Sequence, residues 1–275
     1  MDRSRRLLLT GELHVYRLNL VYTFFKIGIM NELAYRANFY VQITSSLMSL
    51  GTAIAGLLII FSHTDTLGDW TSVDILALLG IYMLVAGAIR LFIQPSMQQM
   101  MEDVRKGTLD YTLTKPEDAQ FLISIGQVRI WKMTDVFLGI LVLAVALTRR
   151  GVSVGLEETV AFALVLICGG TIIYSFWLML ATLSFWFIRI ENILVIFQTM
   201  YEAGRWPIGI YPYWLKFILT FIVPIAFAIT VPAQALTGRL TNEALTLDVG
   251  LAVVMLIVSR LFWRIGLRNY SGASA

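Results

Sequence analysis

The chain has 275 residues, of which 58% are hydrophobic and only 14% are Asp, Glu, Lys or Arg, with a formal net charge of +3. Soluble domains carry about 25% charged residues, so a soluble fold of this size would lack the polar surface to meet water. The composition implies an integral membrane protein. It excludes a disordered chain, a nucleic-acid binder and a secreted disulfide scaffold, and the single cysteine, Cys168, allows no intrachain disulfide.

The N-terminus, MDRSRRLLLT, is basic, but its apolar run is confined to Leu7–Leu9, so it does not read as a cleavable signal peptide. Val15–Tyr35 comes next, with Tyr16, Leu20, Phe24, Ile27 and Leu33 at helical spacing and Arg17, Lys26, Glu32 and Arg36 interrupting any full span. This pattern predicts an amphipathic helix lying along the inner interface and turning into the first span. A simple anchor is the alternative. A spanning helix needs about 20 mostly apolar residues, and six stretches meet that need: Ala37–Phe61, Val73–Ile93, Lys132–Leu147, Thr159–Phe187, Trp214–Leu236 and Leu247–Ile265. The chain therefore reads as one all-α integral membrane domain. Residues 1–36 form a cytoplasmic tail and interfacial helix, 37–267 a six-span bundle, and 268–275 a cytoplasmic tail with a frayed end.

Three segments between or within spans carry more information. In the loop Gln94–Gln127, Pro95 is expected to end or kink the second span, since it lacks an N–H and its ring clashes with the preceding turn. Ser96–Lys106 can then form a short helix, with Met97, Met100, Met101 and Val104 on one side and Glu102, Asp103, Arg105 and Lys106 on the other. Gly107 is its expected C-cap. Methionine knobs suit a partner's groove, and equally suit packing on the chain's own bundle. Along Arg189–Lys216, an apolar stripe of Ile190, Ile193, Leu194, Phe197, Met200 and Tyr201 runs into Pro207, Pro212 and the aromatic cluster Trp206, Tyr211, Tyr213 and Trp214. Such clusters sit at headgroup depth, which predicts an interfacial helix followed by re-entry. A seventh span is the alternative, and it would reverse the last two. Pro224 and Pro232 interrupt the fifth span, where proline marks either a kink near a transport path or a packing kink.

Lys and Arg fix the orientation. With the N-terminus inside, eighteen of the 21 basic residues fall on the inner side, leaving Arg149, Arg150 and Arg239 outside. Both termini are expected in the cytoplasm. Catalytic chemistry is sparse. His14 and His63 pair with neither Cys168 nor each other at any catalytic or metal-binding spacing. Asp135 lies near the inner end of the third span, and no acidic residue is confidently central in the others. No GxxxxGK[ST] sequence occurs, so any uphill movement must draw on another subunit.

Three blocks carry a family likeness: FFKIGIMNELAYRANF before the first span, FIQPSMQQMMEDVRKGTLDYTLTKP after the second, and RWPIGIYPYWLKFILTFIVPIAFAITVPAQAL late in the chain. In these blocks, in this order, the chain resembles the permease subunit of an ABC-2-type ABC transporter. The resemblance implies an elbow helix at Val15–Tyr35 and a coupling helix at Gln98–Lys106, inserted into an ATP-binding subunit. Gln98, Met101, Glu102, Asp103, Arg105 and Lys106 would form the coupling site, with Glu102, Asp103 and Arg105 as its main contacts. It further implies a second permease copy or paralogue, ATP held by the partner subunit with no cofactor on this chain, and alternating access driven by ATPase closure. Pro224 and Pro232 are the pathway candidates. The expected role is export of a lipid-like, glycan or other amphiphilic substrate across the inner (plasma) membrane, with membrane lipids and no nucleic acid among the partners. A secondary carrier working without an ATPase and a membrane-embedded lipid-modifying enzyme are the competing readings. Gly51, Ala53, Ala55, Gly56, Gly80, Ala86 and Gly87 permit close helix packing, either between permeases or within one.

Overall fold

The computed structural model describes residues 16, 18–30, 36–151, 155–187 and 191–270; His14, the N-terminal tail, much of the start and end of Val15–Tyr35, and the tail Ser271–Ala275 lie outside them. A helix α1 covers Leu18–Met30. It leads to α2 (Arg36–Phe61), a two-stranded hairpin β1 (Thr66–Leu67) and β2 (Trp70–Thr71), α3 (Ser72–Ala88), α4 (Gln94–Lys106), α5 (Asp110–Leu113) and α6 (Ala119–Ile125). The second half comprises α7 (Met133–Arg150), α8 (Leu156–Thr182), α9 (Glu191–Tyr201), α10 (Tyr213–Phe217), α11 (Val231–Leu236) and α12 (Asn242–Arg268). Among the described residues, five helices are long and apolar enough to cross a membrane: Asn38–Phe61, Ser72–Lys106, Ile130–Arg150, Leu156–Phe185 and Asn242–Arg268. They match the first four and the last of the expected spans to within a few residues at most ends. The second is the exception, running on to Lys106.

That extension corrects one of the two expectations for Pro95, that it ends the span. α3 passes into α4 through a π-turn, Ile89–Ile93, and the helix does not stop. The Gln94 N–H reaches back five residues to the Ile89 carbonyl, and the Leu91 carbonyl, which would have faced Pro95, accepts the backbone N–H of Arg129 at 3.0 Å. The same device precedes both later prolines. Val223 donates to the Ile218 carbonyl at 2.8 Å before Pro224, and Val231 to the Ala226 carbonyl before Pro232. A π-turn widens the helix by one residue, giving the ring room where the N–H is missing. The path of the chain beyond each turn depends on the residue before the proline. Gln94 and Val231 stay helical, at φ −58° and −65°. Val223 goes extended at φ −117°, ψ 90°, as residues before proline prefer. The stretch expected as a straight fifth span is therefore two helices, Tyr213–Ile222 and Ala226–Leu236, bent by 82°.

The buried centre is built from α3, α8 and α11, with α2 and α12 largely exposed at the periphery. α3 and α7 meet backbone to backbone at glycines. A Cβ on Gly139 would stand 2.5 Å from the Leu84 nitrogen, and one on Gly80 2.7 Å from the Leu143 nitrogen; Gly87 lies as tightly against Val136. Gly169 of α8 takes the Ala228 backbone in the same way, and Gly204 receives Ile225 and Ile229. Gly80 and Gly87 thus pack within the subunit, whereas Gly51 and Gly56 of α2 face open space.

Two arginines hold the end of the bundle that carries the hairpin. Arg150 donates to the Leu236 and Thr237 carbonyls at 2.6 and 2.8 Å, capping the end of α11. Arg239 pairs with Asp74 at 2.9 Å and stands over the Trp70 ring, while Asp74 closes a capping box with Thr71 at the start of α3. Two of the three basic residues expected outside are therefore structural. From the opposite, α4 end, residues 192–206 run antiparallel to α4 and α3. Asn192 and Leu194 lie beside Gln98, Gln198 accepts from Gln94 at 3.3 Å, Tyr201 stacks on Tyr82, and Trp206 reaches Leu57 and Ile75 near the hairpin end.

The glycine interlock sets a test. G139V, which drives a Cβ into the α3 backbone, should cost about 1–3 kcal/mol or more and lower the melting temperature of the purified chain in detergent. G51V should leave it unchanged.

Candidate coupling surface and central cleft

The expected coupling residues share one helix, but it is the projecting end of the second span, not a separate segment. Its methionine face is turned inward: Met97, Met100 and Met101 are all buried, and Leu109 beyond the turn is fully so. Met101 lines a cleft of about 330 Å³ with Gln98, Glu102, Asn192, Leu194 and Val195, all within this chain. Gln98 accepts from Arg129 at 3.2 Å. The charged face is internally paired. Glu102 takes Arg105 at 2.5 Å and Lys106 at 2.8 Å, and Asp103 accepts from Gln99 at 2.9 Å and Thr108 at 3.0 Å. Gly107, at φ 69°, ends the helix as expected. The side chains left exposed at the tip include Arg105, Lys106, Tyr111, Thr114 and Lys115.

Behind that tip, α4 and α6 are tied into the bundle. Ser96 donates to the carbonyls of Ser124 and Gln127 at 3.3 and 3.2 Å. Ser124 and Gln120 of α6 both bond the Tyr174 hydroxyl of α8, at 2.7 and 3.2 Å. Asp118 caps α6 through the Phe121 N–H and forms a two-pronged pair with Arg260 of α12, which also donates to Gln120 at 2.5 Å. Its hydrogen bonds to the Arg260 guanidinium hold the Asp118 carboxyl below its ordinary value of 3.8. On the near side α1 leans on this platform, with Gly28 against Val128 and Phe24 beside Ser96 and Met100. The expected stripe on α1 is only partly inward: Phe24 is half-buried, whereas Tyr16 and Ile27 are exposed.

Sequence reasoning did not find the polar cluster inside the bundle. A cavity of about 220 Å³ between α2, α3, α7 and the turn after α9 is lined by Gln42, Ser45, Ser46, Ser49, Tyr82, Arg90, Lys132, Asp135, Glu202 and Arg205. Asp135 is buried and accepts from Ser46, with Arg90 at 3.6 Å and Lys132 at 3.9 Å. The Arg205 guanidinium lies 5.3 Å from the Tyr82 ring centroid. A signal was present: Gln42, Ser45, Ser46 and Ser49 keep the i, i+3, i+4, i+7 spacing of one helical face. Serine and threonine weigh too little in a hydropathy window to reveal it. Pro224 and Pro232, the expected pathway residues, are buried, at the bend and in the first turn of α11.

The fold is that of a helical membrane protein whose second span carries a charged tip past the end of the bundle. A family profile described as ABC-2 family transporter protein matches residues 47–274. The chain belongs to that family, whose membrane component is a transmembrane permease that works with ABC ATP-binding subunits. No match is found among curated proteins.

The Asp118–Arg260 pair gives a pH test. A carboxyl whose folded value is depressed stabilises the fold fully above its unfolded value, and that contribution is lost as pH falls through the folded one. Thermal melts of the wild-type chain should therefore lose stability below about pH 4. The R260M variant should show less of this acid-dependent loss and a lower melting temperature at neutral pH.

Proposed function

We propose that the chain is the membrane-spanning permease subunit of an ATP-driven ABC-2-type transporter. It pairs with a second copy or a paralogue, couples to separate ATP-binding subunits that hold the ATP, and exports a lipid-like, glycan or other amphiphilic substrate. The observation that carries this reading is the rigid connection from the α4 tip into the bundle. α4 continues α3 without a break, and Ser96, Tyr174 and Arg260 fasten its base and α6 to α8 and α12. A push at Arg105–Lys115 is thus delivered to three spans at once, as nucleotide-driven reorientation requires.

In this reading six segments cross the membrane: α2, α3–α4, α7, α8, residues 191–206 and α12. The bent pair α10–α11 enters and leaves at the hairpin end. Trp206 and the Arg150-capped Leu236 both lie toward that end, and Phe227–Ala228 touch Gly169 midway along α8. The re-entry expected after the 189–216 segment is kept, but the crossing moves from 214–236 to 191–206. An even number of crossings leaves α12 directed as expected, with Arg260, Arg264 and Arg268 toward the cytoplasm. Arg205 and Lys216 leave the inner set, so sixteen of the eighteen basic residues remain there and the inside bias holds. α1 serves as the elbow helix, and both termini are cytoplasmic in a multi-pass inner-membrane protein.

The coupling contact is narrower than the expected Gln98–Lys106. Met101 is closed within the bundle, so the docking face comprises Arg105 and Lys106 with the rim of Glu102 and Asp103, continued by Tyr111 and Lys115. Reversing charge at the tip with R105E/K106E should reduce co-purification of the ATP-binding subunit about tenfold or more, the scale of losing charge-assisted contacts. Membrane insertion and melting temperature should be retained. Full association and transport by this variant would place the coupling contact elsewhere.

A further inference from the structure

The polar cavity continues into a second one. A space of about 170 Å³ is lined by Thr52, Ala53, Gly56, Leu57, Ile75, Leu79, Arg205 and Trp206. Arg205 lines both, and the two lie in succession along α2 and α3: Gln42–Ser49 with Tyr82–Arg90, then Thr52–Leu57 with Ile75–Leu79. Together they form one cleft, polar toward the α4 end and apolar toward the hairpin end. α2 borders it as a loosely held wall, touching the bundle through Phe39 on Trp131, Ser46 on Asp135 and the buried Leu57. Ser45 and Ser49 line the cavity yet are exposed, so the cleft opens sideways along α2.

Its charges do not balance. Among the described lining residues Arg90, Lys132 and Arg205 face Asp135 and Glu202, three cations against two carboxylates. The ion pairs that these cations make there are loose: Arg90–Asp135 at 3.6 Å, Lys132–Asp135 at 3.9 Å and Arg205–Glu202 at 3.9 Å. None is at hydrogen-bonding distance, and the buried Nε of Arg205 has no hydrogen-bond partner. Cationic donors held in a low-dielectric site are costly until a counter-charge arrives. The one excess positive charge calls for one negative charge. From Gln42 to Gly56 the rise along α2 is about 21 Å at ~1.5 Å per residue, shared between a polar half for a headgroup and an apolar half for the first part of a hydrocarbon chain.

We propose that the α2–α3 cleft binds a singly charged anionic amphiphile, its phosphate or sulfate between Arg90, Lys132 and Arg205 and its chain along Ala53, Gly56, Leu57, Ile75 and Leu79. Asp135, fixed by Ser46, sets the spacing of Arg90 and Lys132, and Trp206 closes the apolar end. The headgroup would enter sideways past Ser45 and Ser49, near the middle of α2. This deepens the permease reading by naming the substrate class, and rests on it for the role of the cleft in export.

The test uses the full-length chain in nanodiscs of zwitterionic lipid, titrated with fluorescent phosphatidylglycerol or with phosphatidylcholine bearing the same chains. Phosphatidylglycerol should bind saturably and about tenfold more tightly, the scale of one or two hydrogen bonds to a charged group. R205Q should remove that preference, and A53W, which fills the apolar half, should weaken both lipids. K132Q serves as a second headgroup variant should R205Q melt early. Equal or non-saturable binding of the two lipids, or unchanged preference in a folded R205Q or K132Q, overturns the proposal. So does competition by inorganic phosphate as effective as by the lipid, which would mark a free-anion site. Efficient Ser45→Cys cross-linking between copies that is unaffected by phosphatidylglycerol would show instead that a second permease covers the cleft. Association with the ATP-binding subunit is measured on the same preparations. Lost lipid preference with retained association removes only the cleft assignment, and the converse removes only the permease reading.

Discussion

In hydrocarbon every backbone N–H and C=O must find a partner within the protein, because no water is there to take it. That constraint organises this chain around its prolines. Pro95, Pro224 and Pro232 each delete a donor, and each is preceded by a π-turn in which the neighbouring N–H reaches one residue further back. Where a carbonyl finds an outside donor, as Leu91 does in Arg129, the helix stays whole and projects past the bundle. Where the residue before proline turns extended, as Val223 does, the chain folds back. One rule of satisfaction thus produces both a long rod and a sharp bend.

The rod and the bend depend on close backbone approach. Gly80, Gly87 and Gly139 bring α3 and α7 together without intervening side chains, and Gly169 and Gly204 admit the π-turn at Ala226–Thr230. In a bilayer such contacts are where helix association gains most, since lipid tails supply no hydrophobic drive between helices. α3 is thereby locked to α7 at one face, and its continuation α4 is fastened to α8 and α12 through α6. α2 is left on the outside, and the loosely held wall it forms is what leaves room for the cleft.

Charge is scarce, and where it occurs it is used. Arg150 and Arg239 secure the hairpin end through a helix C-terminus and a capping carboxylate. Arg260 holds the platform through Asp118. Arg90, Lys132, Asp135, Glu202 and Arg205 come from three different segments and meet around one cavity, where intramembrane ionisable groups mark function more often than stability.

The amino-acid sequence by itself determined that the chain lives in a membrane, where most of its spans lie, and which side its basic residues favour, because hydropathy and charge bias are sums over neighbouring residues. It also determined the Gly107 cap, which depends on one local backbone angle, and the polar stripe of α2, legible in principle from its helical spacing. The family likeness in the loop after the second span and in the Arg205-Trp206-Pro207 block was equally local. Only the tertiary structure decided that Pro95 does not break its helix while Pro224 bends the chain, since the outcome depends on whether the residue before the proline stays helical, as Gln94 does, or turns extended, as Val223 does. It alone turned Met101 inward, split the 214–236 stretch into two helices bent by 82°, and gathered Asp135, Arg90 and Arg205 around one space. Those are matters of which helix packs against which, and periodicity along a single chain does not specify the partner.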